Sequence, residues 1–254
     1  QGVKELILVA KETTIYGKDL YGEKSLHRLL RELCKIKGIR WIRILYCYPE
    51  EVDEELIQVI KEEKKICHYL DLPIQHANDG ILKRMGRRTS KEQLKAVVAK
   101  LREEIPDIAI RTTLITGFPG ETKEQHEELM EFVDEMEFER LGGFPYSPEE
   151  DTPAADMPGQ VAEEVKEERQ AELMELQQEI AFEQAGGMIG REVLVMIEGK
   201  VTDEDAYVGR TYRDAPNVDG LIFVQTEKEL VTGDFAKVRV TGALEYDLIG
   251  ELTE

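Results

Sequence analysis

A strand-like run followed by an amphipathic helical stretch recurs along residues 1–147, and this alternation restricts the segment to a parallel α/β architecture with right-handed crossovers. The strand candidates are Glu5–Ala10, Arg40–Cys47, Cys67–Leu72, Ile108–Thr116 and Arg140–Tyr146. Between them Ser25, Asp53, Ser90 and Thr122 stand where helix N-caps belong, each followed by an apolar stripe at helical spacing. Leu26, Leu29, Leu30 and Leu33 form the first stripe; Leu129, Phe132, Val133 and Met136 form the last. Thr122 and Gln125 have capping-box spacing. The segment opens on a strand with no helix ahead of it, and a barrel of such units needs at least one more strand in front. The expectation is therefore a partial barrel whose sequence starts late.

The period then changes. Residues 148–158 (PEEDTPAADMP) read as a Pro-rich acidic boundary. A long helix is expected over 159–184, with Val165, Leu173, Leu176 and Ile180 as its stripe and Ala185-Gly186-Gly187 closing it in a left-handed cap. Beyond it come five short β-rich runs: Arg191–Ile197, Ala206–Tyr212, Gly220–Val224, Phe235–Leu244 and Tyr246–Leu252. Turn signals separate them and no helix intervenes, which predicts a small closed barrel of the OB type. The chain thus divides into 1–148, 149–185 and 186–254.

Charge narrows the choice of partner. The net charge is −20, unevenly spread. Residues 1–148 hold 24 Lys/Arg against 27 Asp/Glu, residues 149–182 hold 2 against 11, and residues 183–254 hold 7 against 15. Affinity for nucleic-acid phosphates rests on Lys and Arg, so the last two segments disfavour RNA and favour a basic protein. No apolar run approaches the roughly 18 residues of a membrane span, and no targeting segment precedes the first strand. The expected location is cytoplasmic. Cys34, Cys47 and Cys67 are too widely spaced for a metal-ligand pair and odd in number for a disulfide framework, so they read as structural thiols.

In a parallel barrel the chemistry sits at the C-terminal ends of the strands. Those ends carry Lys11-Glu12-Thr13-Thr14, then Tyr46-Cys47-Tyr48-Pro49, then Gln75-His76, then Ile115–Thr122 (ITGFPGET), and last Phe144-Pro145-Tyr146-Ser147. Gly117 and Gly120 bracket Phe118-Pro119 and would let the backbone pass close to a ligand. Glu121 and Thr122 open the helix that follows. Lys83, Arg84, Arg87 and Arg88 form the basic cluster, either a solvated helix end or a contact to an anion.

These stretches resemble the methylthiotransferase family of radical S-adenosylmethionine enzymes. The motifs that carry the likeness are Leu72–Ala77 through Met85-Gly86-Arg87, Ile115–Thr122 and Phe144–Ser147. Leu8–Thr14 and the Trp41 to Pro49 segment resemble the branch that modifies a ribosomal protein rather than tRNA, and the C-terminal β module is similar to a TRAM domain. The resemblance implies an α/β fold, a partial (β/α)6 TIM-like barrel followed by a small all-β OB-like module. It implies S-adenosyl-L-methionine as cofactor and two [4Fe-4S] clusters in the complete protein, one on an amino-terminal three-cysteine domain and one on a C-x-x-x-C-x-x-C loop. It also implies a reductant of the flavodoxin or ferredoxin type, and an aspartate of a basic small-subunit ribosomal protein as the target. Neither cysteine motif occurs in this sequence, so no cluster is expected in this chain, and the ligands are expected upstream.

Carried over by resemblance, Lys11 and Glu12 lie near the methionyl end of the cofactor, although the family pattern has Gln-Asp there. Arg87 is the candidate for its carboxylate. Gln75 and His76 face the cavity; Ile115, Gly117 and Gly120 pack beside adenine and ribose; Glu121 sits at the helix start, and Tyr146 edges the adenine pocket. The alternatives are a tRNA methylthiotransferase, a metal-free barrel enzyme holding a phosphate in the Gly117–Gly120 loop, and a cluster-free protein-binding module.

Overall fold

The computed structural model describes residues 2–253. Five parallel strands, β1 (Glu5–Leu8), β2 (Trp41–Ile44), β3 (Ile66–Gln75), β4 (Ala109–Thr116) and β5 (Arg140–Pro145), lie side by side in chain order. The crossovers carry α1 (Lys18–Tyr21), α2 (Leu26–Cys34), α3 (Glu54–Glu62), α4 (Asp79–Arg84), α5 (Lys91–Glu104) and α6 (Lys123–Met136). Alternation along each strand sorts its side chains between two faces. Ile42, Ile44, Leu70, Leu72, Ile110 and Leu114 join Leu30, Ile57, Leu94 and Phe132 in the core beneath the helices. Trp41, Cys67, Tyr69 and Ala109 turn to the other, concave face.

The helix starts follow local chemistry. Asp53 accepts from the Leu56 N–H at 3.0 Å, and both Ser90 with Gln93 and Thr122 with Gln125 form complete capping boxes. Ser25 occupies its cap position but its hydroxyl donates to the Glu23 carbonyl instead. Strand β3 outruns the expected Leu72 by three residues, its register with β4 shifting between Leu72 and Gln75. Pro73 lies inside that shift, where the missing N–H does the ladder no harm. The short helices α1 and α4 lie outside the expected elements; Asn78 caps α4 by accepting from the Ile81 N–H.

The free edge of β5 is covered by the long helix α7 (Glu163–Gly186). Gln170 donates to the Gly143 carbonyl at 3.1 Å, the Gly143 N–H points at Met174 Sδ at 3.3 Å, and Gln177 donates to the Phe138 carbonyl at 2.9 Å. Polar side chains thus blunt an edge that would otherwise invite pairing. The helix does not end in the left-handed cap expected of Gly186-Gly187: Gly187 stays right-handed at φ −66°, and the turn out is made at Gly190, φ 86°.

The C-terminal strands β6 (Glu192–Lys200), β7 (Ala206–Arg210), β8 (Ile222–Gln225), β9 (Phe235–Leu244) and β10 (Asp247–Leu252) close into a small barrel around Val195, Ile222, Val224 and Val238. This module seats against the N-terminal end of the concave face. Phe235 meets Trp41 edge-to-face at 4.9 Å, Tyr212 donates to the Asp107 carbonyl, and Arg140 pairs with Asp214. Glu5 receives both Arg43 (2.9 Å) and Arg210 (2.7 Å). Of the module's aromatics, Tyr207 fills its own core, whereas Tyr212 and Phe235 belong to this seam.

Candidate active site at the rim of the sheet

The opposite, C-terminal end of the sheet is open and hollow. A cavity of about 620 Å³ is walled by Lys11, Tyr46, Tyr48, Gln75, Met85, Arg87, Ile115 and Phe118, with Thr152, Pro153, Ala154 and Met157 as its far side. A larger hollow of about 1260 Å³ runs beside β1 and shares Lys11, Tyr48 and Arg87 with it. All the strand-end loops except Phe144–Ser147 therefore contribute directly, as a parallel sheet dictates.

Arg87 sits where the two hollows meet. Its guanidinium donates to the Pro73 carbonyl and stacks 4.5 Å over the Tyr48 ring, while its Nε is buried without a partner. It makes no ion pair among the described residues. A guanidinium held flat and uncompensated in this way is prepared for an anion. Lys11 is exposed beside it. Glu12, in the larger hollow, accepts from the N–H groups of Thr14 (2.8 Å) and Tyr48 (3.1 Å). Burial pushes its carboxyl above the ordinary value; these N–H groups oppose the rise, and Glu50 and Glu51 add to it. Gln75 and Tyr46 both reach the cavity from left-handed backbone, at φ 77° and 57°.

The apolar wall is Ile115 and Phe118, backed by a ring the cavity does not touch. Tyr146 meets Phe118 edge-to-face at 5.2 Å and has Lys166 over its other side at 5.5 Å. It is 7% exposed, so it supports the wall rather than forming it.

Four expected contacts are turned elsewhere. His76 and Glu121 are fully buried and pair at 3.3 Å below the loop. The Asn78 N–H donates to His76 Nδ1, which puts the ring proton on Nε2, toward the carboxylate. Glu121 accepts from Gly117 N–H (2.9 Å) and Phe118 N–H (3.3 Å), and Arg169 of α7 donates to it at 2.8 Å. Burial opposes its charge, but His76, the Gly117 N–H and Arg169 together hold its carboxyl below the ordinary value. The glycines serve neighbours within the chain, not a ligand. A Cβ on Gly117 (φ 68°) would overlap Lys166, and one on Gly120 (φ 77°) would overlap Arg84. Arg84, from the basic cluster, spends its donors on the Pro119 and Gly120 carbonyls.

Tyr48, noted only as a strand-end residue, and Met85, noted only in a motif, join the wall, and 148–158 is more than the boundary its composition suggests. That segment folds back, with Ala154 and Met157 packed into the cluster of Phe118 and Tyr146. The signal was there: Ala154 and Met157 are apolar residues in an acidic stretch. Among the described residues no group of three or more His, Cys, Asp or Glu could hold a metal ion. Cys34, Cys47 and Cys67 are free, and burial pushes their thiols up, Cys34 to about 11, Cys67 to about 12 and Cys47 well above the ordinary value.

Comparison with known proteins gives the family. Residues 1–133 match the Radical SAM superfamily, and residues 189–253 match the TRAM domain. The chain is 66% identical over 98% of its length to a ribosomal protein uS12 methylthiotransferase RimO of Lachnoclostridium phytofermentans, covering 57% of that protein. It is 52% identical over 98% of its length to the RimO of Clostridium botulinum, covering 56% of it, and 50% identical over its whole length to that of Desulfitobacterium hafniense, covering 57%. It thus spans little more than half the length of the curated relatives it matches. Among solved structures, coproporphyrinogen III oxidase (HemN) from Escherichia coli overlaps 73% of the chain and 50% of its own, at 16% identity and a TM-score of 0.48. With a matched family model over more than half its residues, the chain belongs to the radical SAM superfamily and carries a TRAM domain at its C-terminal end.

Proposed function

We propose that this chain is the barrel and TRAM portion of a radical SAM methylthiotransferase that adds a methylthio group to an aspartate side chain of a small-subunit ribosomal protein. The observation that carries the reading is Arg87, an unpaired, stacked guanidinium at the junction of two hollows. Similarity to RimO proteins over nearly the whole chain supports the substrate class.

The residues present fit S-adenosylmethionine. Arg87 holds its carboxylate, with Lys11 and Glu12 beside the methionyl end. Ile115 and Phe118 give the adenine an apolar shelf, and a cavity of about 620 Å³ is in the range that small cofactors fill. Held there, S-adenosylmethionine would supply hydrogen-atom abstraction chemistry, its electron coming from a cluster of the complete protein recharged by a flavodoxin- or ferredoxin-type reductant. Gln75 and Tyr46 orient what enters, and the segment from Thr152 to Met157 keeps water from the far side. The donor set for an iron–sulfur cluster is not among the described residues, and the clusters of the complete protein take their ligands from elsewhere.

In this reading residues 1–148 bear the cavity, 149–185 brace it, and 186–254 meet the substrate. The acidity of the last segment suits a basic ribosomal protein and disfavours tRNA. No helix among the described residues is long and apolar enough to cross a membrane; a ribosomal protein as substrate places the proposed action in the cytoplasm.

Calorimetric titration of the cluster-loaded complete protein with S-adenosylmethionine tests the cavity. Arg87→Ala is expected to weaken binding roughly 10- to 100-fold, the cost of a lost charge-assisted bond. Unchanged affinity removes Arg87 and the reading built on it. Capture of tRNA but not uS12 by the chain would reverse the substrate assignment.

A further inference from the structure

Tyr46 forms part of the cavity wall with its backbone in the left-handed region, φ 57°, where a residue with a bulky side chain stays only if its surroundings hold it. Two bonds hold it. Its carbonyl accepts from the Thr13 N–H at 2.9 Å, and its own N–H donates to Asp71 Oδ2 at 3.0 Å. Asp71 is a buried carboxylate on the concave face of β3, with Arg111 donating to its other oxygen at 2.9 Å.

Arg111 does not stop there. Its Nε lies 3.5 Å from Oδ1 of Asp219, a residue of the C-terminal module. Asp219 is fixed in turn: its Oδ2 accepts from the Tyr69 hydroxyl at 2.7 Å and from the Ala215 N–H at 2.8 Å. Charges therefore alternate from the module through the middle of the sheet to the backbone of a cavity residue, and each of the two carboxylates is no more than 4% exposed. Remove Asp219, and Arg111 is left with one buried counter-charge and freedom to tilt toward the gap.

We propose that Asp219 and Asp71 are positioning residues: the TRAM domain, through Arg111, sets the Tyr46 backbone and so shapes the cavity at the far end of the sheet. The module is then part of the active-site scaffold as well as a substrate-docking unit. The consequence for cofactor grip rests on the function proposed above, but the link itself does not.

Amide hydrogen exchange on the chain tests it without any ligand. Asp219→Asn keeps an oxygen for Tyr69 and Ala215 and removes only the charge facing Arg111. The Tyr46 amide is expected to exchange roughly tenfold faster, with the amides of β2 and β3 unchanged. Asp71→Asn is expected to do the same or more. If Asp219 acts through Asp71, the double variant exchanges at Tyr46 no faster than Asp71→Asn alone. Unaltered Tyr46 protection in Asp219→Asn, or effects of the two substitutions that simply add, overturns the proposal. The chain's single tryptophan, Trp41, meets Phe235 of the module edge-to-face, so its emission reports whether the module keeps its seat. Should Asp219→Asn unseat it, the double variant still decides, because general loosening adds to the Asp71 effect. Failure of this link leaves the cavity reading standing, since that depends on Arg87 and a titration.

Discussion

Arg169, on the helix that leaves the sheet, donates to both oxygen-bearing groups of Glu121: the carboxylate at 2.8 Å and the main-chain carbonyl at 3.2 Å. Helix α7 is thereby bolted to the loop that walls the cavity. Thr116 donates to the Lys166 carbonyl at 3.2 Å alongside, so the bolt has two points. The long helix is a brace for the loop.

Glu121→Gln is expected to cost about 3–5 kcal/mol of stability, because it leaves Arg169 and His76 facing a neutral amide in a dry site. Chemical denaturation of the wild type and the variant measures it. The folded carboxyl lies below its ordinary value of 4.5, so this contribution is complete above about pH 4.5 and disappears as pH falls through the folded value. The wild-type advantage over Glu121→Gln should shrink on acidification; an advantage that grows below pH 4.5 contradicts the pairing.

Gly117→Ala and Gly86→Ala separate strain from crowding. Both glycines have positive φ, 68° and 74°, but a Cβ at Gly117 would overlap Lys166 while one at Gly86 meets nothing within 4 Å. Gly86→Ala should lose only the backbone term, about 1–2 kcal/mol. Gly117→Ala should lose distinctly more. Equal melting temperatures for the two variants would refute the close approach of α7.

Met157→Asp probes the folded-back segment. Met157 packs with Phe118 and Tyr146 at the edge of the cavity, and the chain around it carries no secondary structure to lose. Affinity for S-adenosylmethionine should fall about tenfold, as a charge enters an apolar wall, with stability nearly unchanged. A large stability loss with intact affinity would place Met157 in the fold and not in the site.

Thiol labelling checks the cysteines. With Cys67 pushed up to about 12 and Cys34 to about 11, thiolate is scarce at about pH 8, and burial raises the Cys47 thiol well above its ordinary value too. Native protein should react slowly, with Cys34, the half-buried one, first; denaturant should release all 3. Fast native labelling of Cys47 would mean that the sheet opens at β2.

The alternation of strand and helix, the caps at Asp53, Ser90 and Thr122 and the turn-rich tail specified the two architectures from sequence, because period and capping are local properties. Of the residues the strand-end rule singles out, Lys11, Gln75 and Ile115 line the cavity, as does Arg87 of the basic cluster. His76, Glu121, Gly117 and Gly120 do not line it, and their neighbours Arg84, Lys166 and Arg169 are remote in sequence. Whether a carboxylate at a helix start faces a ligand or a buried arginine depends on which helix folds over it. Nothing in the local pattern reports that. Likewise no reading of residues one at a time joins Asp219 to Tyr46: long-range pairing of charges is set by how the module docks, and only the folded chain brings those groups together.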